Sequence, residues 1–258
     1  MNNALAYKVQ TEMPNTSLFI TGTDTNVGKT TITAAFILAL QQLDISVKVL
    51  KPIETGVDSE HREQSDTERL RHLLSPTPSF DSVCLYSFPQ PLAPLAAARE
   101  TGLTIDLSRI RSHMHTLAQQ CSFLLIEGAG GIFTPITHSH TMRDLVAFLN
   151  IPCLIVGRTN LGGINHCLLT LEALQQAGIT VCGIVLNEPH LQQITATIQQ
   201  QQKSTVALIR EFSSVPVFGP IEYAAIVETN WQKGVHLLAR HSEIQRLAIH
   251  LMEPKNGS

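Results

Sequence analysis

Apolar positions fall into two rhythms along the chain. Short unbroken runs that stop near glycine or proline alternate with longer stretches whose apolar residues recur every three or four positions. The first rhythm suits strands buried on both faces, and the second suits helices that cover them. Residues 17–23 (SLFITGT) predict a buried strand, and 31–43 (TITAAFILALQQL) a buried helix. The run 46–53 (SVKVLKPI) is β-branched, closes at Pro52 and predicts a second strand. A polar stretch, 54–65, precedes a helix over 67–74. Residues 75–82 (SPTPSFDS) predict a loop, 92–100 (LAPLAAARE) a short helix, and 107–120 an amphipathic helix.

The alternation then continues with a strand in 122–131 (SFLLIEGAGG), a helix over 142–149 and a strand over 152–158. A helix over 164–178 follows, ending on a glycine C-cap, and then a strand over 180–188. The Gln-rich tract 191–211 places Leu191, Ile194, Ile198, Leu208 and Ile209 at near-helical spacing, which predicts a helix with an exposed polar face. Residues 215–221 (VPVFGPI) predict the last strand and 235–252 a C-terminal helix. No linker-like stretch divides the chain. The expected fold is α/β: one domain over 17–258, a mostly parallel sheet with helices on both faces. Residues 1–16 read as a polar extension, expected to be mobile.

Composition narrows the function. Hydrophobic residues are 43% and charged residues 15% of the 258, which opposes a disordered chain. A net charge of −3 opposes a basic nucleic-acid scaffold. The five cysteines form no Cys-x-x-Cys pair, so neither a disulfide framework nor a zinc site is expected. Buried free thiols in a reducing compartment are expected instead. The first residues lack the apolar core of a signal peptide, and no apolar run nears the roughly 20 residues of a membrane helix. A soluble, cytoplasmic protein with no nucleic-acid or membrane partner is expected.

The strongest chemical signal is 22–30, GTDTNVGKT, between a predicted strand and a predicted helix. That is the setting a phosphate loop requires. Glycines let successive backbone N–H groups close round a phosphate, and the following helix aims its positive end at the anion. Lys29 can reach terminal phosphates, and the Thr30 hydroxyl can ligate Mg²⁺. Five residues, 23–27, separate the first glycine from Gly28-Lys29, one more than the common spacing. Glu127 follows the apolar run FLLI and precedes GAGG, at a strand end where open α/β sheets bind ligands. It suits a metal-binding carboxylate, the other reading being a solvent-facing strand end. Lys51 ends the second strand in LKPIETG, with its charged tip expected near water; alone it reads equally as a snorkelling lysine. Asp66 alone reads equally as a helix cap.

Together, TGTDTNVGKT, KPIETG, SDT, EGAGG and LGGINH stand in an order and spacing that resembles the dethiobiotin synthetases, over roughly 17–221. The resemblance implies a P-loop NTPase-like fold and an ATP-dependent cyclo-ligase of biotin biosynthesis. Its substrates would be ATP, CO₂ and 7,8-diaminononanoate, joined through a carbamate and a carbamic–phosphoric anhydride to give dethiobiotin, ADP and phosphate. It implies catalytic roles for Lys29 and Lys51 and Mg²⁺ held by Thr30, Asp66 and Glu127. It implies ATP contacts from Asn26, Val27, Gly28, Lys29, Thr30 and Thr31. Asp66, Glu127, Gly128, Ala129 and Gly130 would join them, with Asn187 and Glu188 at the base. Thr25 and Thr55 would contact the substrate. Gly162, Gly163 and Asn165 of a partner subunit would bind its distal carboxylate, which implies a homodimer. Asn165 and His166 also read as plain polar residues at a helix start.

The chain departs from the family at 219–223, GPIEY, where Glu222 replaces the usual proline of Gly-x-Ile-Pro. The competing class is a partitioning-type P-loop ATPase switch. Such switches carry a second lysine early in the phosphate loop, and GTDTN has none.

Overall fold

The computed structural model describes residues 16–58, 60–189 and 195–253. The expected extension therefore lies outside the described residues except for Thr16. So do Leu191 and Ile194 of the Gln-rich tract.

Strand β1 (Thr16–Gly22) leads through the phosphate loop into helix α1 (Lys29–Gln42). β2 (Val47–Leu50) stops before Pro52, and β3 (Ile53–Thr55) starts again beyond it. The single strand expected over 46–53 is thus two. The break at Lys51-Pro52 sends β3 into a separate two-stranded parallel sheet with β4 (Tyr86–Phe88). Between them lie a 3-10 turn (Arg62–Gln64), α2 (Asp66–Arg71) and α3 (Phe80–Val83). The last of these begins inside the expected loop and ends one residue beyond it; Ser79 caps it by accepting from Ser82 N.

Helices α4 (Pro94–Thr101) and α5 (Leu107–Ala118) precede β5 (Phe123–Gly131). Then come α6 (Met142–Leu149), β6 (Cys153–Gly157), α7 (Gly163–Gln176), β7 (Val181–Asn187), α8 (Ala196–Phe212) and β8 (Val217–Ile221). The expected C-terminal helix breaks after Leu238. α9 (Ile226–Thr229) and α10 (Trp231–Leu238) precede α11 (Ser242–Met252), whose start is capped by His241.

Among the described residues the main sheet has six parallel strands in the order β2-β5-β1-β6-β7-β8. Alternate residues of each strand feed opposite cores. Leu18, Ile20, Leu125 and Val156 face the layer of α1, α10 and α11, with Ile32, Phe36 and Val235. Phe19, Leu124, Ile126 and Ile155 face the layer of α5, α6 and α7, with Met114, Leu145 and Leu171. Two covered faces are why these strands read as unbroken apolar runs. Phe36 meets Phe123 edge-on, with ring centres 5.7 Å apart. Full burial of such a ring is worth about 1.5–3 kcal/mol. This packing fixes α1 against the central strands and so fixes the loop between them. The five cysteines are buried free thiols, as expected.

Candidate active site

The phosphate loop is built by local constraint. Gly28 has φ +92° and ends the loop as the N-cap of α1. A Cβ there would lie 2.2 Å from Asn187 Nδ2. Asn187, buried at the end of β7, donates to Val27 O at 3.0 Å and so ties the loop to the sheet. The first turn of α1 carries no acidic side chain, leaving its positive end available to an anion. Lys29 is only 8% exposed, and its Nζ donates to Asp24 O at 2.9 Å. Burial, then the like charge of Lys51, lowers its pKa to about 8.

Lys51, Asp66, Glu127 and Thr30 converge beside that lysine. Lys51 Nζ lies 2.7 Å from Glu127 Oε1 and 2.9 Å from Asp66 Oδ2. Thr30 Oγ1 donates to Glu127 Oε1 at 2.7 Å. The expectation that Lys51 keeps its tip in water is wrong, since the residue is 4% exposed. β3 and α2 turn back past the end of β2 and bring Glu54 and Asp66 to it. Burial acts to lower the Lys51 pKa, but Asp66, Glu127 and Glu54 outweigh it and hold the ammonium above its ordinary range. Burial likewise opposes the Asp66 carboxylate. Lys51, by charge and hydrogen bond, with Thr30 and Arg69, brings its pKa below the usual carboxylate value. Glu127 Oε2 is buried and has no hydrogen-bond partner among the described residues. A free carboxylate oxygen, a second carboxylate and a hydroxyl form an all-oxygen donor set, which fits Mg²⁺.

Glu54 is the residue that sequence reasoning missed. It is buried; Oε1 accepts from Asp66 N at 2.7 Å, and Oε2 from Thr67 N at 3.0 Å and from the Thr67 hydroxyl. It therefore fixes the start of α2, the turn that presents Asp66. Its only sequence signal is its place in KPIETG.

A cleft of about 750 Å³ joins these groups. Thr25, Asn26, Gly28, Lys29, Thr30, Thr31, Lys51, Thr55, Asp66, Gly128, Ala129 and Gly130 all line it. Glu127 reaches it through Thr30 and Lys51, and Val27 contributes its backbone carbonyl to Asn187. Asn187 and Glu188 lie beyond Thr31, at a smaller cavity of about 50 Å³ that Glu222, Tyr223 and Ala224 also line. Glu188 accepts from Thr159 N at 3.1 Å and from its hydroxyl, which ties β7 to the loop after β6. Glu222 is 81% exposed, 3.8 Å from His241. Gly162 and Asn165 are not brought to the cleft of their own chain. They line a separate groove along α7 with Ile164, Leu168 and Leu169. Gly163 is buried at the start of α7, where a Cβ would fall 2.1 Å from Arg158 O.

A family model described as an AAA domain matches residues 16–230. The ATP-dependent dethiobiotin synthetase of Anaeromyxobacter dehalogenans is 41% identical over 170 residues, which is 66% of this chain and 75% of that protein. The chain belongs to the dethiobiotin synthetase family. The synthetase of Methanococcus vannielii is 33% identical, over 78% of this chain and 91% of that one. That of Bacillus subtilis strain 168 is 31% identical, over 78% and 84%. Among solved structures, the MinC:MinD cell division protein complex of Aquifex aeolicus gives a TM-score of 0.59 at 15% identity, covering 94% of this chain and 98% of that one. A ParA family ATPase from Chlorobium tepidum gives 0.53 at 16%, covering 92% and 99%. These likenesses show the P-loop fold alone, whereas the dethiobiotin synthetases match in sequence as well, so the switch reading is the weaker one.

Proposed function

We propose that the protein is an ATP-dependent dethiobiotin synthetase, a cyclo-ligase that closes a cyclic urea on 7,8-diaminononanoate. The observation that carries this reading is the Lys51 ammonium, held by Asp66 and Glu127 beside Lys29 and Thr30 of the phosphate loop. In the first step one substrate amine adds to CO₂, loses a proton and becomes a carbamate. A carbamate oxygen then attacks the γ-phosphorus of ATP, and ADP leaves. The second amine attacks the carbamic carbon of the resulting anhydride, phosphate leaves with the C–O electron pair, and the ring closes. Each step gathers negative charge on oxygens, so positioning and charge neutralisation do most of the work. Lys29 would grip the terminal phosphates. Lys51 would face the carbamate and the transferring phosphoryl group.

Asn26 to Thr31 would wrap the phosphates, with Gly128 to Gly130 opposite. Thr25 and Thr55, on the cleft wall, would orient the diamine. Thr30, Asp66 and Glu127 would hold Mg²⁺, which when bound would offset phosphate charge. Asn187 and Glu188 would flank the base.

A homodimer would complete the site. Leu161 is 91% and Leu169 60% exposed on the face that carries Gly162 and Asn165, an apolar surface suited to a second copy. The amides at the start of the partner's α7 would take the distal carboxylate. The five unpaired thiols suit a cytoplasmic setting. Among the described residues no helix is long and apolar enough to cross a membrane.

The deciding experiment is ADP release with diaminononanoate and bicarbonate. Turnover should require both amines and CO₂, and a monoamine analogue should give no cyclic product. ADP release indifferent to the diamine would overturn the reading.

A further inference from the structure

The geometry points to Arg69 as an additional cation for the terminal phosphates of the nucleotide, held ready by Trp231. This rests on the reading that the cleft binds ATP. Arg69 and Trp231 both line the cleft, from α2 and α10. The guanidinium carbon lies 4.8 Å from the centre of the indole ring. Arg69 stands three residues after Asp66, on the same face of α2.

The neighbouring arginines are spoken for. Arg71 pairs with Glu68 at 2.6 Å and donates to Pro78 O, and Arg62 sits over Phe80 within reach of Glu68. Arg69 has no carboxylate within ion-pair distance among the described residues; its side-chain contact is the indole. A guanidinium that rests a face on an aromatic ring keeps its N–H edges free for a planar, two-pronged grip on phosphate oxygens. Trp231 is itself anchored, because it packs against the core that contains Ile32 and Val235. The arginine is therefore pre-placed, so less side-chain freedom is lost when an anion arrives.

The position also explains why the site can use another charge. Lys51 is committed to two carboxylates, and Lys29 donates to Asp24 O at 2.9 Å. A guanidinium carries a permanent positive charge, unlike an amine. Arg69 supplies a fixed positive charge at the Asp66 end of the cleft.

The test compares unaltered protein with Arg69→Ala, Arg69→Lys and Trp231→Leu, using calorimetric titration with Mg-ATP and with AMP, and steady-state kinetics. Arg69→Ala should weaken ATP by on the order of tenfold or more, the scale of a charged hydrogen bond. AMP affinity, KM for the diamine and the melting temperature should hold. Arg69→Lys should recover only part of the loss, and Trp231→Leu should lose less than Arg69→Ala. Trp231 is the single tryptophan of the chain, so its emission should change on ATP addition to the unaltered protein. Equal ATP affinity with and without Arg69 would overturn the proposal. Equal loss for AMP and ATP would make Arg69 a structural prop, and a rise in diamine KM alone would place it on the substrate side; either overturns the phosphate role. No ATP binding by the unaltered protein would instead overturn the nucleotide site itself, and this role with it.

Discussion

The Lys51 ammonium lies 2.7 Å from Glu127 Oε1, and both side chains are buried, at 4% and 0% exposure. A buried pair of this kind owes its energy to staying intact. Removing one partner leaves an uncompensated charge and costs about 3–5 kcal/mol.

Lys51→Ala should therefore destabilise the protein as well as stop the reaction. Glu127 and Asp66 would be left facing each other without their shared cation. Adding Glu127→Gln should recover part of the stability and none of the activity. Urea unfolding of the two single variants and the double variant would measure the coupling. Single-variant losses that simply add would show that the pair contributes nothing.

Lys29 should behave in the opposite way. Its ammonium is buried, and its pKa drops from 10.5 to about 8, which corresponds to roughly 3 kcal/mol spent on keeping it charged. Lys29→Met should abolish turnover yet raise the stability of the ligand-free protein by up to that amount. The pH dependence has a definite sign. Between about 8 and 10.5 the unfolded chain holds the proton that the folded chain has released, so stability from this group rises with pH. The advantage of Lys29→Met should thus shrink from pH 7.5 to pH 9.5. Denaturant titrations at the two pH values check this, and a constant advantage would rule out a strained ammonium.

The sheet was legible because its strands are buried on both faces, which leaves unbroken apolar runs such as FLLI and CLIV. The phosphate loop was legible because its demand for glycine and lysine is local. Most of what escaped depends on distant chain. β3 and β4 have three residues each, too short to show a period, and each exists through the other across more than 30 positions. The burial of Lys51 is set by α2, which starts 15 residues later, so a strand-end lysine read as exposed. The break between α10 and α11 carries no proline or glycine; it is set by the capping contact of His241 with Glu243 N. Glu54 stood inside a family motif, but its task concerns the backbone of Asp66 and Thr67, which only the fold brings near.

Glu54→Gln tests that task. The carboxylate accepts from two backbone N–H groups with two different oxygens. An amide has one acceptor oxygen, so one N–H must lose its partner, at about 1–3 kcal/mol. The start of α2 should loosen and Asp66 with it. The expected outcome is a lower melting temperature together with a higher Mg²⁺ requirement for turnover. A stability loss with an unchanged Mg²⁺ titration would separate Glu54 from the site.

The shared site is testable by mixing two inactive variants, and the structure decides which two. Gly163 is unsuitable, because any side chain there would strike Arg158 O and disturb the start of α7. Lys51→Ala is unsuitable because the lost buried pairing should destabilise it. Asn165 is exposed beside the α7 groove, so Asn165→Glu should fold normally and repel the substrate's distal carboxylate. Lys29→Ala would remove the proposed phosphate grip without leaving a buried charge unpaired. In a two-fold dimer each site would draw Lys29 from one chain and Asn165 from its mate. A mixed dimer then has one site with both lesions and one with neither. Random pairing puts half of the chains in mixed dimers, so turnover should return to about a quarter of the unaltered rate. If each site lay within one chain, every site in the mixture would keep a lesion and no activity would return. The measurement is ADP release before and after subunit exchange, with exchange confirmed by native mass spectrometry of differently tagged chains. Silence after confirmed exchange would sink the shared site.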